Sequence, residues 1–114
     1  MLDPVAGNLN QYMTLVAERQ RLVASNIANA DTPGYKTKDI DFQTELQNAS
    51  VGMTPNVEEV PGLVVKNDGN NVNLDREARL LSENALRFNI AANLLRSQIK
   101  IVRMAIEGGT SSSS

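Results

Sequence analysis

Neither cysteine nor histidine occurs in this 114-residue chain, and tryptophan is missing as well. These absences remove disulfides, thiol nucleophiles, zinc sites of the usual kinds and the commonest general base, while leaving the redox compartment open. Aromatic residues make up only 4% of the sequence, so any core is aliphatic and thin, and a compact isolated enzyme is not expected. No apolar run approaches the ~18 residues of a membrane span, and Met1 to Val5 lack the basic and continuously apolar segments of a secretory signal. By those rules alone the chain belongs in the cytoplasm. The 13 acidic and 11 basic residues, net charge -2, are interleaved, which leaves no basic footprint for nucleic acid or anionic lipid.

The remaining carboxylates carry no obvious chemistry. Asp31, Asp39, Asp41 and Glu45 lack the glycine and terminal glutamate of an EF-hand and stand among polar neighbours, so they read as solvated. Pro33-Gly34 has no phosphate-loop lysine and serine beside it. No catalytic residue, metal ligand or cofactor is therefore assigned.

What the chain does have is heptad periodicity at both ends. A first helical pattern opens at Asp3 or Asn8 and runs to about Asp31, with Leu9, Val16, Val23 and Ala30 seven apart and Ile27 four after Val23. Arg19 and Gln20 interrupt this seam at a cost in stability, and such polar residues can set its register. Leu15 and Leu22 stand beside it. The second pattern spans residues 73–107, with Asn73 as N-cap, Asp75 and Glu77 in the first turn, and Gly108-Gly109 as its stop. One heptad position holds Leu74, Leu81, Phe88, Leu95 and Val102; the other holds Ala78, Ala85, Ala92, Ile99 and Ile106. Asn84 lies off both rows, and a change there is expected to do little. Leu80, Ile90, Leu94, Ile101 and Met104 also fall off the seam, and a two-helix hairpin would leave them wet. They are candidate subunit-interface residues.

Between the helices, residues 32–72 form an excursion. Its corner is Ser25-Asn26-Ile27-Ala28-Asn29-Ala30-Asp31-Thr32-Pro33-Gly34-Tyr35, where Pro33-Gly34 matches positions i+1 and i+2 of a type II turn and pushes Thr32 out of the helical region. Ser25, Asn26 and Asn29 place short hydrogen-bonding side chains in the last turns, able to cap carbonyls or bond a neighbouring backbone. Residues 35–41 read as extended loop. Phe42, Leu46 and Ala49 suit a short helix capped by Asp41 and stopped by Gly52. Residues 57–60 and 63–66, joined by Pro61-Gly62, read as a small hairpin or a mobile loop. Residues 108–114 form a flexible tail. The expected fold is all-α: one domain in which long N- and C-terminal helices pair as a coiled-coil-like hairpin around a loop-rich middle.

The run Leu22-Val23-Ala24-Ser25-Asn26-Ile27-Ala28-Asn29-Ala30-Asp31-Thr32-Pro33-Gly34-Tyr35-Lys36 resembles the N-terminal signature of bacterial flagellar rod, hook and hook-associated axial proteins. Asp39-Ile40-Asp41-Phe42 and Gly69-Asn70-Asn71-Val72-Asn73-Leu74-Asp75-Arg76-Glu77 resemble the proximal-rod members of that family. The resemblance implies a non-catalytic subunit that self-assembles, with its own kind and with other rod subunits, into the helical drive shaft transmitting motor torque. It implies the rod-to-MS-ring adaptor and the flagellar export gate as further partners, and a place in the basal body across the periplasm. Export by the flagellar type III route without a cleaved signal is also implied, overriding the cytoplasmic reading. The short middle without a large inserted domain fits a proximal position. Another small rod subunit is the nearest rival, and a soluble coiled-coil adaptor or export chaperone is the reading of a different class. For the corner, a helix cap is the simpler reading of the residues themselves; the resemblance implies docking against an adjacent subunit.

Overall fold

The computed structural model describes residues 4–48 and 54–111. Its elements are α1 (Pro4–Ala28), β1 (Lys38–Ile40), α2 (Phe42–Asn48), β2 (Val57–Glu59) and α3 (Leu74–Ser111). The two long helices pack antiparallel. Asn26 near the end of α1 bonds Glu77 at the start of α3, Gln20 reaches the Leu81 carbonyl, and Leu9 and Tyr12 share a groove with Ile90 and Leu94. At 1.5 Å per residue α3 is about 57 Å long against about 37 Å for α1, so its C-terminal part runs on past the start of α1. The molecule is accordingly elongated, 74 × 26 × 17 Å.

The C-terminal ends of both long helices differ from expectation in an explicable way. Helix α1 closes at Ala28, three residues early, because the Asn29 and Ala30 amides turn inward to Ser25, Asn26 and Ile27 carbonyls in a tightened last turn. Its proposed cap Asp3 lies outside the described residues. Helix α3 begins as expected, with Asn73 Oδ1 accepting from the Arg76 amide at 3.1 Å. It does not stop at Gly108-Gly109 but continues to Ser111. A glycine ends a helix by taking the left-handed conformation, and among the described residues the glycines at positive φ are Gly34, Gly62 and Gly69. Of the tail, residues 112–114 lie outside the described residues.

In the middle, α2 forms as its apolar spacing suggests. Asp41 caps it, accepting from Thr44 Oγ1 at 3.0 Å and, more weakly, from the Thr44 amide at 3.4 Å; Ala49 and Gly52 lie outside the described residues. The hairpin between residues 57–60 and 63–66 does not form. Pro61-Gly62 is a turn, but β2 pairs antiparallel with β1, Lys38 opposite Glu59 and Ile40 opposite Val57. The extended-loop reading of residues 35–41 thus missed a strand. Leu63 to Lys66 have β-favouring side chains but no paired strand among the described residues, whereas β1 is held in place by α1, so the ladder builds there.

The apolar core sits between α1 and this excursion. Leu15, Leu22 and Ile40 are buried together, with Phe42 and Leu46 packed against them. Tyr12 meets the Phe42 ring edge-on at 5.6 Å, and the Arg19 and Arg87 guanidiniums lie over the same ring at 5.9 and 5.6 Å. Leu22→Ala is expected to lower unfolding free energy by about 2–5 kcal/mol, whereas Leu86→Ala, on the solvent side of α3, should change it by less than about 0.5 kcal/mol. Urea denaturation of both variants checks this, and equal midpoints would place the core elsewhere.

Candidate functional site

The corner is built around one side chain. Asn26 is fully buried, and its amide makes every hydrogen bond it can. Nδ2 donates to the Lys38 carbonyl at 2.8 Å and to Glu77 Oε1 at 2.7 Å; Oδ1 accepts from the Lys38 amide at 3.1 Å and from Tyr35 OH at 3.0 Å. Toward Lys38 it thus pairs as a strand would, covering the edge of β1 that β2 does not. Ser25 Oγ lies 3.5 Å from the same Tyr35 hydroxyl.

The chain then turns as its proline and glycine dictate. Gly34 has φ +77°, and the Tyr35 amide donates back to the Thr32 carbonyl at 3.2 Å, as a type II turn from Thr32 to Tyr35 requires. Asn29 locks the approach, donating to the Ser25 carbonyl and accepting from Thr32 Oγ1. The segment before α3 closes over the turn. Asn70 Nδ2 donates to both the Asn29 and Thr32 carbonyls, and Asn71 Oδ1 accepts from the Thr37 amide at 2.6 Å. The Gly34 amide donates to the Asp68 carbonyl, and Lys36 Nζ donates to the Gly69 carbonyl. Gly69 sits so close that a Cβ there would lie 3.2 Å from Gly34 Cα. Two distant glycine-bearing turns therefore interlock.

A charged cluster lies beside this amide lattice. Asp39 accepts from Arg19 Nε and Nη2 at 3.0 and 2.9 Å and from Arg76 Nη2 at 2.6 Å; Arg76 Nη1 donates to Glu77 Oε2 at 2.6 Å. The two cations and two anions balance. Burial alone would push the Asp39 carboxyl up, but the bonds from Arg19, the Ile40 amide and Arg76 outweigh it and hold the carboxyl below its ordinary range. Burial likewise draws Arg76 down, and Glu77 and Asp39 more than reverse it.

These positions correct several expectations. Asp39 and Glu45 are buried rather than solvated; Asp31 and Asp41 are exposed as expected. The signature residues Ser25, Asn26, Asn29, Thr32, Gly34 and Tyr35 come together, but Asn26 engages its own chain, so its amide is not free to dock on another subunit. Asp31 and Pro33 face solvent. Of the α1 seam, Val16 and Val23 are buried and Leu9 and Ile27 half-buried. The α3 seam is displaced. Leu74, Leu81, Phe88, Ile99 and Val102 are exposed and Leu95 is half-buried, while Glu77, Leu80, Asn84 and Ala91 turn inward. Leu80 and Asn84 are thus interior, contrary to expectation; Ile90, Leu94, Ile101 and Met104 are exposed as expected of interface residues. Sequence reasoning did not foresee that Arg19, Asp39, Asn70, Asn71, Arg76 and Glu77 build the corner together. The signals were Arg19, a charge standing inside an apolar heptad, and the two motif pieces that carry Asp39 and Asn70 to Glu77.

A helical pair locked by a polar corner, with the apolar rows of its longer helix facing outward, defines a structural chain that presents helix surface. The family model described as flagella basal body rod protein matches residues 13–36, which carry the Arg19 anchor, Asn26 and the turn. Salmonella typhimurium has a relative named flagellar basal body rod protein FlgB, 32% identical over 95% of this chain and 96% of its own length. Proteins of the same name from Escherichia coli and Yersinia ruckeri are 31% and 30% identical over 96% of this chain and 99% and 100% of their own lengths. The chain belongs to the flagellar basal-body rod protein family, and the relatives it matches from end to end are FlgB proteins.

Because the folded pKa of Asp39 lies below its unfolded value of about 3.9, acid protonates the unfolded chain first. The stabilisation from this carboxylate is full above that value and is lost as pH falls through the lower folded one. Asp39→Asn is expected to cost about 3 kcal/mol at pH 7 and to flatten the loss of stability below pH ~4, measured by denaturation across pH. An unchanged acid limb would show that another group governs it. At the turn, Gly34→Val should destabilise by more than about 1–2 kcal/mol, since a β-branched residue is disfavoured at positive φ, and Pro33→Ala should cost less; thermal melts of the two variants provide the comparison.

Proposed function

We infer that the chain is a structural subunit of the proximal part of the flagellar rod, packing with other rod subunits into the helical shaft that transmits motor torque to the hook. The observation that carries this is the surface of α3. Leu94, Ile99, Ile101, Val102 and Met104 are all about half exposed or more, a run of exposed large apolar side chains of the kind that marks an interaction surface. Membership of the rod family supplies the kind of neighbour that would cover it. The full-length likeness to FlgB proteins favours a proximal position over a FlgC-type subunit, and it disfavours a soluble adaptor or export chaperone.

On this reading the rod-to-MS-ring adaptor and the export gate are the neighbours at the base of the shaft. Passage through the flagellar type III channel requires an unfolded chain, and the thin core between α1 and the excursion suits that demand. The corner end of the molecule, with its dense polar lattice, folds on its own contacts; the far end of α3 becomes ordered against neighbouring subunits.

Amide exchange on the purified monomer and on isolated basal bodies tests the reading. In the monomer, residues 15–26 and 72–84 should be protected and residues 94–106 should exchange freely; in basal bodies the latter should slow by about tenfold or more. A chain absent from basal bodies, or equally exchanging in both states, contradicts it.

A further inference from the structure

We propose that the outer edge of β2 takes on an extended strand from a second copy of this chain, its residues 63–66, so that the hairpin absent within one subunit forms between neighbours. This rests on the rod-subunit reading and names one contact within it, in the excursion and not along the long helices.

The edge is open because Asn26 closes the other one. Asn26 takes both backbone groups of Lys38, which leaves Lys38 nothing to offer β2. The Val60 amide donates to the Thr37 carbonyl at 2.9 Å, and the ladder alternates from there: Asp39 and Glu58 are the bonded pair, while Lys38 with Glu59 and Ile40 with Val57 are the non-bonded ones. The N–H and C=O groups of Val57 and Glu59 therefore point away from β1, and both residues are exposed. Such an edge is a template for one more strand.

The strand that fits lies a few residues on. Leu63, Val64 and Val65 favour extended backbone, their backbone groups have no hydrogen-bond partner among the described residues, and Val64 and Val65 are 86% and 54% exposed. They do not fold back onto β2 of their own copy. Pro61 with Gly62 at φ +79° matches a type II turn, which splays the strands on either side of it.

The backbone directions set the register. Lys66 is tied to its own chain, its amide donating to the Asn70 carbonyl and its carbonyl accepting from the Gly69 amide. Successive residues of an extended chain turn these groups to opposite sides, so Val65 presents its N–H and C=O outward. In an antiparallel pairing Val65 of one copy exchanges both bonds with Glu59 of the next. Lys66, which needs no bond from β2, then stands opposite Glu58 in the close non-bonded pair, where opposite charges attract. Edge and strand are different surfaces of one chain, so each copy gives its strand to one neighbour and its edge to another. A contact of that kind stays open, as a helical shaft requires, and does not close as a twofold dimer.

The absence of cysteine makes the test direct. The Cα atoms of a bonded antiparallel pair lie about 5.5 Å apart, within reach of a disulfide. Oxidised basal bodies from cells that make both Glu59→Cys and Val65→Cys chains should yield a covalent dimer joining one of each, and cells that make either variant alone should yield none. A dimer from one variant alone joins like to like and overturns the contact; both variants incorporated without a dimer overturn it as well and leave the rod reading standing. Absence of the unaltered chain from basal bodies overturns the rod reading instead. Should a cysteine variant fail to incorporate, the backbone reads the same contact. Glu59→Pro removes an N–H that the subunit's own ladder does not use, so the purified monomer should melt as Glu59→Ala does, while motility falls at least several-fold below that of Glu59→Ala. Equal motility of the two, or a proline variant that melts lower, overturns the pairing.

Discussion

The structure depends on the complete hydrogen bonding of one buried amide. Asn26 joins four pieces of chain that are far apart in sequence: the end of α1, the Tyr35 hydroxyl after the turn, both backbone groups of Lys38 in β1, and Glu77 at the start of α3. No other residue type offers two donors and an acceptor in that planar arrangement at that size. A buried amide leaves no slack, because a missing partner costs more than a made bond returns. The positions of β1 and of the α3 N-terminus therefore follow from where α1 puts residue 26.

The same bond sets the rotation of α3, and this explains why the strongest periodic signal in the sequence does not mark the intramolecular contact. Once Glu77 points at Asn26, residues at intervals of seven from it, Asn84 and Ala91, follow on the same stripe, and Leu80 falls between them. The rows of Leu81, Phe88 and Ala85 are then turned aside. An apolar seam is non-directional and could pack at several rotations; a carboxylate bonded to Asn26 and Arg76 could not. The charged cluster around Asp39 need contribute little net stability, since its three largely buried ion pairs offset their own desolvation only with good geometry. It contributes definition, fixing α1 to β1 through Arg19 and β1 to α3 through Arg76.

Much of this was legible in the sequence, and the failures share a cause. The helix positions, the Pro33-Gly34 turn and the caps at Asp41 and Asn73 follow from local chemistry, which needs only nearby residues, and they form as read. The partners did not follow. β1 was read as loop because three residues with one buried isoleucine carry no alternation, and its strand exists because Asn26 and β2 flank it. Asp39 looks solvated in sequence because the arginines that neutralise it lie 20 residues upstream and 37 residues downstream. Arg19 was visible as a breach of the α1 heptad, and a charge at such a position is a request for a partner that only the fold can identify.

The division of α3 has a consequence for how such a chain serves an assembly. Its first turns are bound into the corner by directional bonds and cannot rotate without breaking them. Beyond Ala91 the helix makes fewer inward contacts, and from Ile99 onward its described side chains are exposed. One rigid rod thus carries an orientation fixed at one end out to an apolar surface at the other, about 25–40 Å away along the axis. Apolar burial against neighbours supplies affinity without direction, so the direction has to come from elsewhere. Here it comes from polar bonds internal to the subunit, which set the face that α3 presents before any neighbour arrives.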